Sequence, residues 1–311
     1  MKVLFVASAN KGKIGPLVKA QGNSLAKRGV TVEYYGIKVR GLKGYLSNIP
    51  GLRKTIKQTN PDIIHAHYSF CGFVAALTLT NKPIVVSLMG SDIQAGAFFR
   101  NAIRFFYHRI WDAVIVKSPK MKSTLNLSKA HITPNGVDLS RFMEMDSTDL
   151  KKKFGFDLNK KTILFLADPS RHEKNYALAV KAFEYIKQNN CKFKVRYNLS
   201  HMEVPEVINA AGVILLTSKW EGSPNVVKEA MACNRPVVAT NVGDIEWLFG
   251  NEPGHFLTTF DPQDVASKIE NALKFSTEHQ RTNGRKRIEE LGLDTDNVAK
   301  KVIDVYRTIS E

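Results

Sequence analysis

Short apolar runs alternate with amphipathic stretches along the whole chain. In the stretches between the runs, apolar residues recur every three or four positions, which is typical of helices, whereas the short runs are typical of buried strands. Strands that alternate with helices indicate a parallel sheet covered by helices on both faces. The pattern therefore predicts the α/β class.

The predicted strands form two series, which indicates two domains. The first series has strands at residues 2–8, 30–36, 62–68, 83–90 and 112–118, and helices at about 15–29, 50–59, 70–80, 97–110 and 119–127. The second has strands at 161–168, 192–198, 212–218, 236–241 and 254–258, and helices at 175–188, 224–232 and 261–275. The join at residues 133–155 is rich in turn formers and charge. We predict Rossmann-like domains at 1–145 and 146–295, with a C-terminal helix at about 296–311 that packs back on the first domain.

This architecture also predicts where a ligand binds. Open parallel sheets bind ligands beyond the carboxyl ends of their strands. Two such domains facing each other would form a cleft between those ends. We therefore expect the functional residues in the loops that follow the strands.

The charge of the chain is concentrated in its first half. The formal net charge is +16, and residues 1–145 carry 21 Lys and Arg against 6 Asp and Glu. The remaining residues are close to neutral, with 24 against 23. A one-sided excess of this kind predicts an anionic partner for the first domain, which could be nucleic acid, an acidic lipid surface or an acidic polymer.

The cysteines and the hydropathy narrow the class of protein. The three cysteines have no metal-ligand spacing and are odd in number, which fits a reducing cytosol. The sequence has no stretch with the roughly 18 uncharged apolar residues that a membrane-spanning helix needs. We expect a cytoplasmic protein.

The segment "WEGSPNVVKEAM", residues 220–231, carries the most specific chemistry. Glu221 precedes a predicted helix, Pro224 lies near its first position, and Glu229 lies two turns further on. The free N–H groups at a helix start bind anions such as phosphate. A nucleotide diphosphate-sugar matches this order, with its diphosphate at the helix start, its sugar near Glu221 and its ribose near Glu229.

These residues also resemble a known family. "EGSPNVVKEAMA" is similar to the donor-site signature of retaining glycosyltransferases of the group 1, family 4 type, and "PDIIHAHYSFCG", "PIVVSLMGSD" and "ITPNGVDLSRF" resemble segments of the same family in the same order. The resemblance covers essentially the whole chain. It implies a GT-B fold, in which the second domain holds the nucleotide-sugar and the first receives the acceptor, often lipid-linked.

The resemblance implies roles for individual residues. Glu229 would bind the ribose hydroxyls, Glu221 the transferred sugar, and Lys174 the diphosphate. His67 would reach the donor sugar from the first domain. Backbone groups of the helix start would bind sugar and phosphate, and Gly15 would lie near the phosphates. The residues of this backbone set are Gly222, Ser223, Pro224, Asn225 and Val226.

The chain departs from the family pattern in several places. Ala167 and Asp168 stand where the family usually has Gly-Arg, and we predict that Arg171 supplies the second cation instead. Asn175 and Asp244 stand where the family usually has glycine.

We expect neither a cofactor nor a metal. The sequence has no Asp-x-Asp motif in the place where a metal-bound diphosphate would need one. Fixed cations and helix N–H groups can stabilise the leaving diphosphate without a metal. These features predict metal-independent transfer, and the resemblance implies retention at the anomeric carbon.

His65 is interpreted differently from His67. The prediction places its side chain on the opposite face of the strand from His67, as a core histidine with satisfied hydrogen bonds.

Two basic, aromatic segments of the first domain predict a membrane surface. In residues 98–111, Phe99, Ile103, Phe106 and Ile110 are predicted to face the core, while a second face is predicted to meet anionic lipid. Residues 38–57 add Lys43 and Arg53, with Tyr45. We predict peripheral attachment to the inner face of the cell membrane. The predicted lipid-facing residues of residues 98–111 are Arg100, Arg104, Tyr107, His108 and Trp111.

Three functions are compatible with these observations. The first is a glycosyltransferase that uses a UDP- or GDP-sugar to extend a cell-surface polysaccharide. The second is a nucleotide-sugar 2-epimerase of similar fold, which would need no acceptor groove. The third is a basic nucleic-acid-binding protein, for which no nucleic-acid-binding motif is found. We expect a nucleotide-sugar and a glycan or lipid-linked acceptor as partners, and no nucleic acid.

Overall fold

The computed structural model describes residues 1–9, 12–38, 41–94, 96–187 and 189–309. These residues form two compact units. Unit 1 contains residues 1–136 and the C-terminal helix from Thr295 onward, and unit 2 contains residues 137–294. Segment 137–145, which the prediction assigned to the first domain, therefore belongs to unit 2.

Unit 1 is built on a six-stranded parallel sheet in the order β2-β1-β3-β4-β5-β6. Its strands are β1 (Lys2–Ser8), β2 (Thr31–Ile37), β3 (Ile63–His67), β4 (Ile84–Ser87), β5 (Ala113–Val116) and β6 (His131–Ile132). Its helices before the crossing to unit 2 are α1 (Pro16–Ala26), α2 (Gly41–Leu46), α3 (Ile49–Thr59), α4 (Ser69–Leu77), α5 (Gly90–Ile93), α6 (Ala97–Arg109) and α7 (Pro119–Leu125).

Unit 2 is built on a five-stranded parallel sheet in the order β11-β10-β9-β7-β8. Its strands are β7 (Lys161–Phe165), β8 (Cys191–Val195), β9 (Val213–Leu216), β10 (Val237–Thr240) and β11 (His255–Thr258). Its helices are α8 (Ser147–Lys153), a 3₁₀ turn (His172–Lys174), α9 (Tyr176–Glu184), α10 (Glu203–Ala210), α11 (Asn225–Ala232), α12 (Ile245–Phe249), α13 (Pro262–Glu278) and α14 (Gly284–Glu290).

Both sheets are covered on both faces, as the prediction of the α/β class required. In β1, Leu4 and Val6 pack into one buried cluster and Val3 and Phe5 into the other. In unit 2, Leu164 of β7 packs into one buried cluster and Ile163 into the other. Burial on both faces explains why these strands read as continuous apolar runs. The prediction of two parallel-sheet domains is confirmed.

The last helix, α15 (Thr295–Arg307), packs on α1 in unit 1. Its Tyr306 is fully buried, and the Tyr306 hydroxyl lies 2.6 Å from Nδ1 of His65 on β3. None of the described helices is long and apolar enough to cross a membrane.

The strand order brings particular loops together. In unit 2, the chain moves from β7 outward to β8 and then back to β9 on the other side of β7. The order of the strands reverses in the same way between β1 and β3 in unit 1. Such reversal points are where open parallel sheets bind ligands, beyond the carboxyl ends of the two strands.

Candidate active site

The start of α11 is open to a ligand. The helix follows β9 through residues 217–224, with Pro224 in an extended conformation at its N-cap. Its apolar face buries Val227, Ala230 and Met231. The N-cap residue Pro224 makes no side-chain capping hydrogen bond, so it leaves the N–H groups of the first turn available to an anion.

Glu221 is bound to a lysine from the neighbouring loop. The Lys174 ammonium lies 2.5 Å from Oε1 of Glu221, and the Ser218 hydroxyl donates to the same oxygen at 2.8 Å. The two charged side chains are only 13% and 16% exposed. A carboxylate that looked unpaired in the sequence is thus half of a largely buried ion pair at the reversal point of the unit 2 sheet.

Hydrogen bonds between the two loops fix this pair. Lys174 ends the 3₁₀ turn after β7, and its carbonyl accepts from the Thr217 hydroxyl at 3.0 Å. The Lys219 N–H donates to the carbonyl of Glu173 at 2.8 Å. Asn175, where the family usually has glycine, has a left-handed φ of +51°, a conformation that asparagine tolerates better than most residues.

Glu229 lies on α11, two turns beyond Glu221. Among the described residues, no hydrogen bond to its carboxylate is found. Burial raises the pKa of Glu229 to about 7, even though the positive charges of Lys228 and Arg141 act in the opposite direction. A carboxylate without a hydrogen-bond partner is suited to accept from ligand hydroxyls.

Arg141 is a candidate that the sequence analysis missed. Its guanidinium lies over the ring of Phe142, 4.6 Å from the centroid, and its buried Nε has no hydrogen-bond partner within the described part of the chain. Arg285 fixes this segment by donating to the carbonyls of Leu139 and Phe142. The charge of Arg141 acts on both Glu229 and His201, which places it near the predicted ribose site.

Arg171 is less suited than Lys174 to bind a diphosphate, because it is more exposed and is paired with an acid of its own loop. Its side chain is 55% exposed and forms an ion pair of 2.5 Å with Glu173. Asp168 accepts from the N–H and the hydroxyl of Ser170, at 2.9 and 2.8 Å, and so shapes the same loop.

The residues of the predicted backbone set lie together at the start of α11, and all of them except Pro224 have an N–H to donate. Gly222, Ser223 and Pro224 precede the helix, and Asn225 and Val226 begin it. A Cβ on the neighbouring Gly243 would lie 2.9 Å from the carbonyl oxygen of Gly222. The loop after β10 is therefore in direct contact with the loop that carries Glu221.

In unit 1, His67 ends β3 and is 2% exposed. Neither ring nitrogen has a hydrogen-bond partner among the described residues. Burial and the charge of Lys117 lower the pKa of His67 to about 3, so the ring is neutral. Gly15 lies at the N-cap of α1, after the neighbouring strand β1. Both lie at the carboxyl edge of the unit 1 sheet, where its strand order reverses.

The predicted orientation of His65 was wrong. Residues two apart in a strand share a face, and the rings of His65 and His67 stack with centroids 4.4 Å apart. The second part of that prediction is confirmed, because both nitrogens of the buried His65 ring have partners, Tyr306 and the Ser87 hydroxyl at 2.8 Å.

The predicted lipid-facing position of Trp111 was also wrong. Trp111 follows the end of α6, so helical spacing does not apply to it. Its ring is buried on Phe73, with centroids 5.5 Å apart, and its Nε1 donates to the Gly72 carbonyl at 3.3 Å. Tyr45 is likewise buried in the core of unit 1.

The other predicted basic residues lie at or near the surface of unit 1. Lys43 is exposed, and Arg100 is partly exposed. Arg53 donates to the Thr78 carbonyl and Arg104 to the Leu125 carbonyl, both at 3.0 Å. Residues 39 and 40 of the predicted basic segment lie outside the described residues.

The apolar face of α6 differs from the prediction. Ile103 is fully buried as expected, whereas Ile110 is 38% exposed. Phe98 and Phe105 are 78% and 58% exposed. Because these two residues are seven apart, they lie on the same face of the helix.

A group of three or more His, Cys, Asp or Glu side chains suited to a metal ion is not found in the described part of the chain.

Comparisons with known proteins identify the class. The family model described as Glycosyltransferase Family 4 matches residues 7–141, and the model described as Glycosyl transferases group 1 matches residues 194–274. The chain is 30% identical over 256 residues to an uncharacterised glycosyltransferase of Methanocaldococcus jannaschii, an alignment that covers 75% of this chain and 71% of that protein. The chain therefore belongs to the group 1, family 4 glycosyltransferases.

The chain is also similar to a bacterial glycosyltransferase and to two solved structures. The chain is 26% identical over 244 residues to the putative teichuronic acid biosynthesis glycosyltransferase TuaC of Bacillus subtilis, covering 70% of this chain and 63% of TuaC. Sucrose-phosphate synthase from Thermosynechococcus elongatus has a TM-score of 0.82 at 16% identity and covers 99% of each chain. HepE from Anabaena, in complex with UDP and glucose, has a TM-score of 0.79 at 18% identity, covering 99% of this chain and 100% of HepE. These structural similarities identify the fold as GT-B.

Proposed function

We propose that the chain transfers a sugar from a UDP- or GDP-linked donor to a glycan or lipid-linked acceptor in the synthesis of a cell-surface polysaccharide. The observation that carries the proposal is the uncapped start of α11, with the Lys174–Glu221 pair before it and Glu229 two turns along it. TuaC supports the polysaccharide role. An Escherichia coli UDP-Gal:alpha-D-GlcNAc-diphosphoundecaprenol alpha-1,3-galactosyltransferase, 24% identical over 277 residues, supports a nucleotide-sugar donor and a lipid-linked acceptor.

The roles of the residues follow from their positions. The N–H groups at the start of α11 bind the diphosphate, Glu229 accepts from the ribose hydroxyls, and Glu221 contacts the transferred sugar. Arg141 is a further contact on the nucleoside side. His67 is proposed to contact the donor sugar from unit 1. Gly15 is proposed to lie near the phosphates.

Lys174 is proposed to stabilise the leaving diphosphate. Negative charge develops on the diphosphate as its bond to the sugar breaks, and a fixed cation with helix N–H groups stabilises that charge. Arg171 is proposed as the second cation, which requires release from Glu173. We propose that transfer needs no metal and retains the anomeric configuration.

Incubation with a panel of nucleotide-sugars, with and without membrane extract, tests this function. Release of nucleoside diphosphate that rises with extract is the expected result. Isomerisation of the sugar without release would instead indicate the epimerase. If the chain releases no nucleoside diphosphate and isomerises no sugar, but binds nucleic acid, it is a nucleic-acid-binding protein.

We expect donor affinity to depend on pH through Glu229. The carboxylate accepts hydroxyl donors best when ionised, and its pKa in the free protein is about 7. The ionised fraction rises about tenfold between pH 6 and pH 8, so the Kd for a bound donor such as UDP-glucose should fall about tenfold. Titration calorimetry at several pH values measures this change.

Two variants separate Glu229 from other groups. Glu229→Gln should bind more weakly at pH 8 and lose the pH dependence, because an amide does not titrate in this range. Glu206→Gln, which removes an acid of α10, should behave like the wild type. A Glu229→Gln variant that keeps the full pH dependence would contradict the assignment.

We propose that unit 1 attaches to an anionic membrane surface through α6. Phe98 and Phe105 present apolar rings on one face of α6, and helical spacing places Arg109 on the same face. Amphipathic helices with aromatic and basic residues bind anionic lipid surfaces. The attachment would place the chain peripherally on the inner face of the membrane.

Vesicle co-sedimentation checks this attachment. Replacing Phe98 and Phe105 by serine should weaken binding to phosphatidylglycerol vesicles at least tenfold, since each ring buries apolar area worth about 1.5 kcal/mol or more. Phe260→Ser, which removes an exposed ring of unit 2, should have no effect. The proposal would be contradicted if the chain bound neither anionic nor neutral vesicles. It would also be contradicted if binding to anionic vesicles did not weaken as the salt concentration rises.

A further inference from the structure

Asp244 is a buried carboxylate at the start of α12 that does not cap this helix. It follows β10 and occupies the N-cap of α12, where an aspartate normally accepts the first N–H groups of the helix. Here its side chain makes no capping hydrogen bond. The residue is 5% exposed, and neither carboxylate oxygen has a hydrogen-bond partner among the described residues. Because a buried carboxylate without partners is costly, its inward orientation needs an explanation.

The loop that carries Asp244 lies against the loop of the candidate site. Gly243 has a left-handed φ of +66°, and a Cβ there would lie 2.9 Å from the Gly222 oxygen and 3.1 Å from the Glu221 oxygen. Any side chain at residue 243 would therefore push the two loops apart. This contact places Asp244, the next residue, close to the loop that carries Glu221.

Ser223 is the second buried polar group without a partner. Its hydroxyl oxygen is enclosed and makes no hydrogen bond with the described residues. Burial raises the pKa of Asp244 to about 6, while the charge of Lys228 and the Ser223 hydroxyl act in the opposite direction. Ser223 and Asp244 thus lie next to the two residues, Gly222 and Gly243, through which their loops are in contact.

Lys228 supplies the opposite charge. It lies one turn into α11 and is fully buried. Its charge attracts Asp244, and the charge of Asp244 opposes the lowering of the Lys228 pKa by burial. Buried opposite charges offset part of each other's desolvation, and the charge of Glu229 also acts on Lys228.

We propose that Asp244 is a positioning residue for the donor sugar: with Lys228 as its counter-charge, it holds residues 221–223 in the shape that presents Glu221 to the sugar. This inference rests on the proposed function. It concerns the sugar end of the donor, because the contact of the two loops involves Glu221 and Gly222, whereas the nucleoside is assigned to Glu229 and Arg141 further along.

The test compares nucleotide binding with turnover in Asp244→Asn, which keeps the shape of the side chain and removes its charge. Affinity for UDP, measured by titration calorimetry, should change less than twofold. The kcat/KM for UDP release from UDP-glucose, measured with membrane extract, should fall about tenfold. GDP and GDP-mannose serve as the second pair of probes.

Two comparisons keep the test decisive if the single variant is unstable. Asp244→Asn combined with Lys228→Met removes both charges and should recover the melting temperature while turnover stays low. Asp261→Asn removes an aspartate that does cap its helix, accepting from the Gln263 N–H at 3.1 Å, and should leave turnover unchanged.

The results of this test distinguish failure of the positioning role of Asp244 from failure of the proposed function. Equal losses of UDP affinity and turnover, no loss of either, or full recovery of turnover in the double variant would each overturn the positioning role. A wild-type chain that neither binds nor turns over any nucleotide-sugar would overturn the proposed function itself.

Discussion

Replacing Glu221 by glutamine is expected to lower kcat by about a hundredfold or more. The Glu221 carboxylate is held by the Lys174 ammonium at 2.5 Å and the Ser218 hydroxyl at 2.8 Å. Glutamine keeps the size of the side chain but removes the charge, so Lys174 loses its counter-ion and the sugar loses a charged acceptor. Loss of one positioned polar group in an active site typically costs a hundredfold to a thousandfold in kcat. The rate of nucleoside diphosphate release at saturating donor measures the effect.

The chain offers a matched control for this variant. Lys153 and Glu206 form an ion pair of the same 2.5 Å length in unit 2, between α8 and α10. Glu206→Gln should leave kcat unchanged within a factor of two, because surface pairs of this kind contribute little. If Glu221→Gln retained wild-type turnover, the proposed role of Glu221 would be contradicted.

Replacing Lys174 by methionine is expected to lower kcat by about a thousandfold. Charge on the diphosphate grows as the sugar leaves, so a fixed cation contributes more in the transition state than in the ground state. The affinity for the nucleoside diphosphate should therefore fall much less than kcat. Single-turnover rates and calorimetric binding, measured on the same variant, separate the two effects.

Replacing Lys174 and Glu221 together tests whether the ion pair acts as one unit. If Lys174 and Glu221 act as one unit, their combined replacement should cost little more than the worse single change. Lys153→Met is the matched control and should not affect turnover. A loss of affinity in Lys174→Met with kcat unchanged would contradict the proposed role, because the lysine would then bind the ground state and the transition state equally.

Most of the fold could be predicted from the sequence. Central strands buried on both faces give continuous apolar runs. The ten predicted strands correspond to ten strands of the structure. The two-residue strand β6 is too short to give such a signal. Helices α2, α5 and α12 are six residues or shorter, so they show no helical repeat of apolar positions.

The candidate site was only partly predictable. The sequence indicated Glu221, Glu229 and Lys174 separately, but the ion pair joins residues 47 apart. It exists because β8 pairs on the far side of β7, which leaves the loops after β7 and β9 adjacent. Strand order of this kind follows from packing of the whole unit and cannot be read from a local pattern.

The burial of Lys228 could have been predicted from the sequence. It lies three and four residues before Met231 and Ala232, both buried, so helical spacing places it on the apolar face of α11. A lysine at such a position predicts a buried counter-charge. Arg141 left no comparable signal, since it lies in an irregular segment whose position depends on hydrogen bonds from Arg285.

The central claim is that the start of α11 binds the diphosphate of a nucleotide-sugar between Glu221 and Glu229. A crystal structure of the chain with a bound UDP- or GDP-sugar tests it most directly. Diphosphate oxygens are expected within about 3 Å of the N–H groups of Ser223, Asn225 and Val226, with the ribose at Glu229 and the sugar at Glu221. A nucleotide-sugar bound elsewhere in the chain, with this helix start empty, would contradict it.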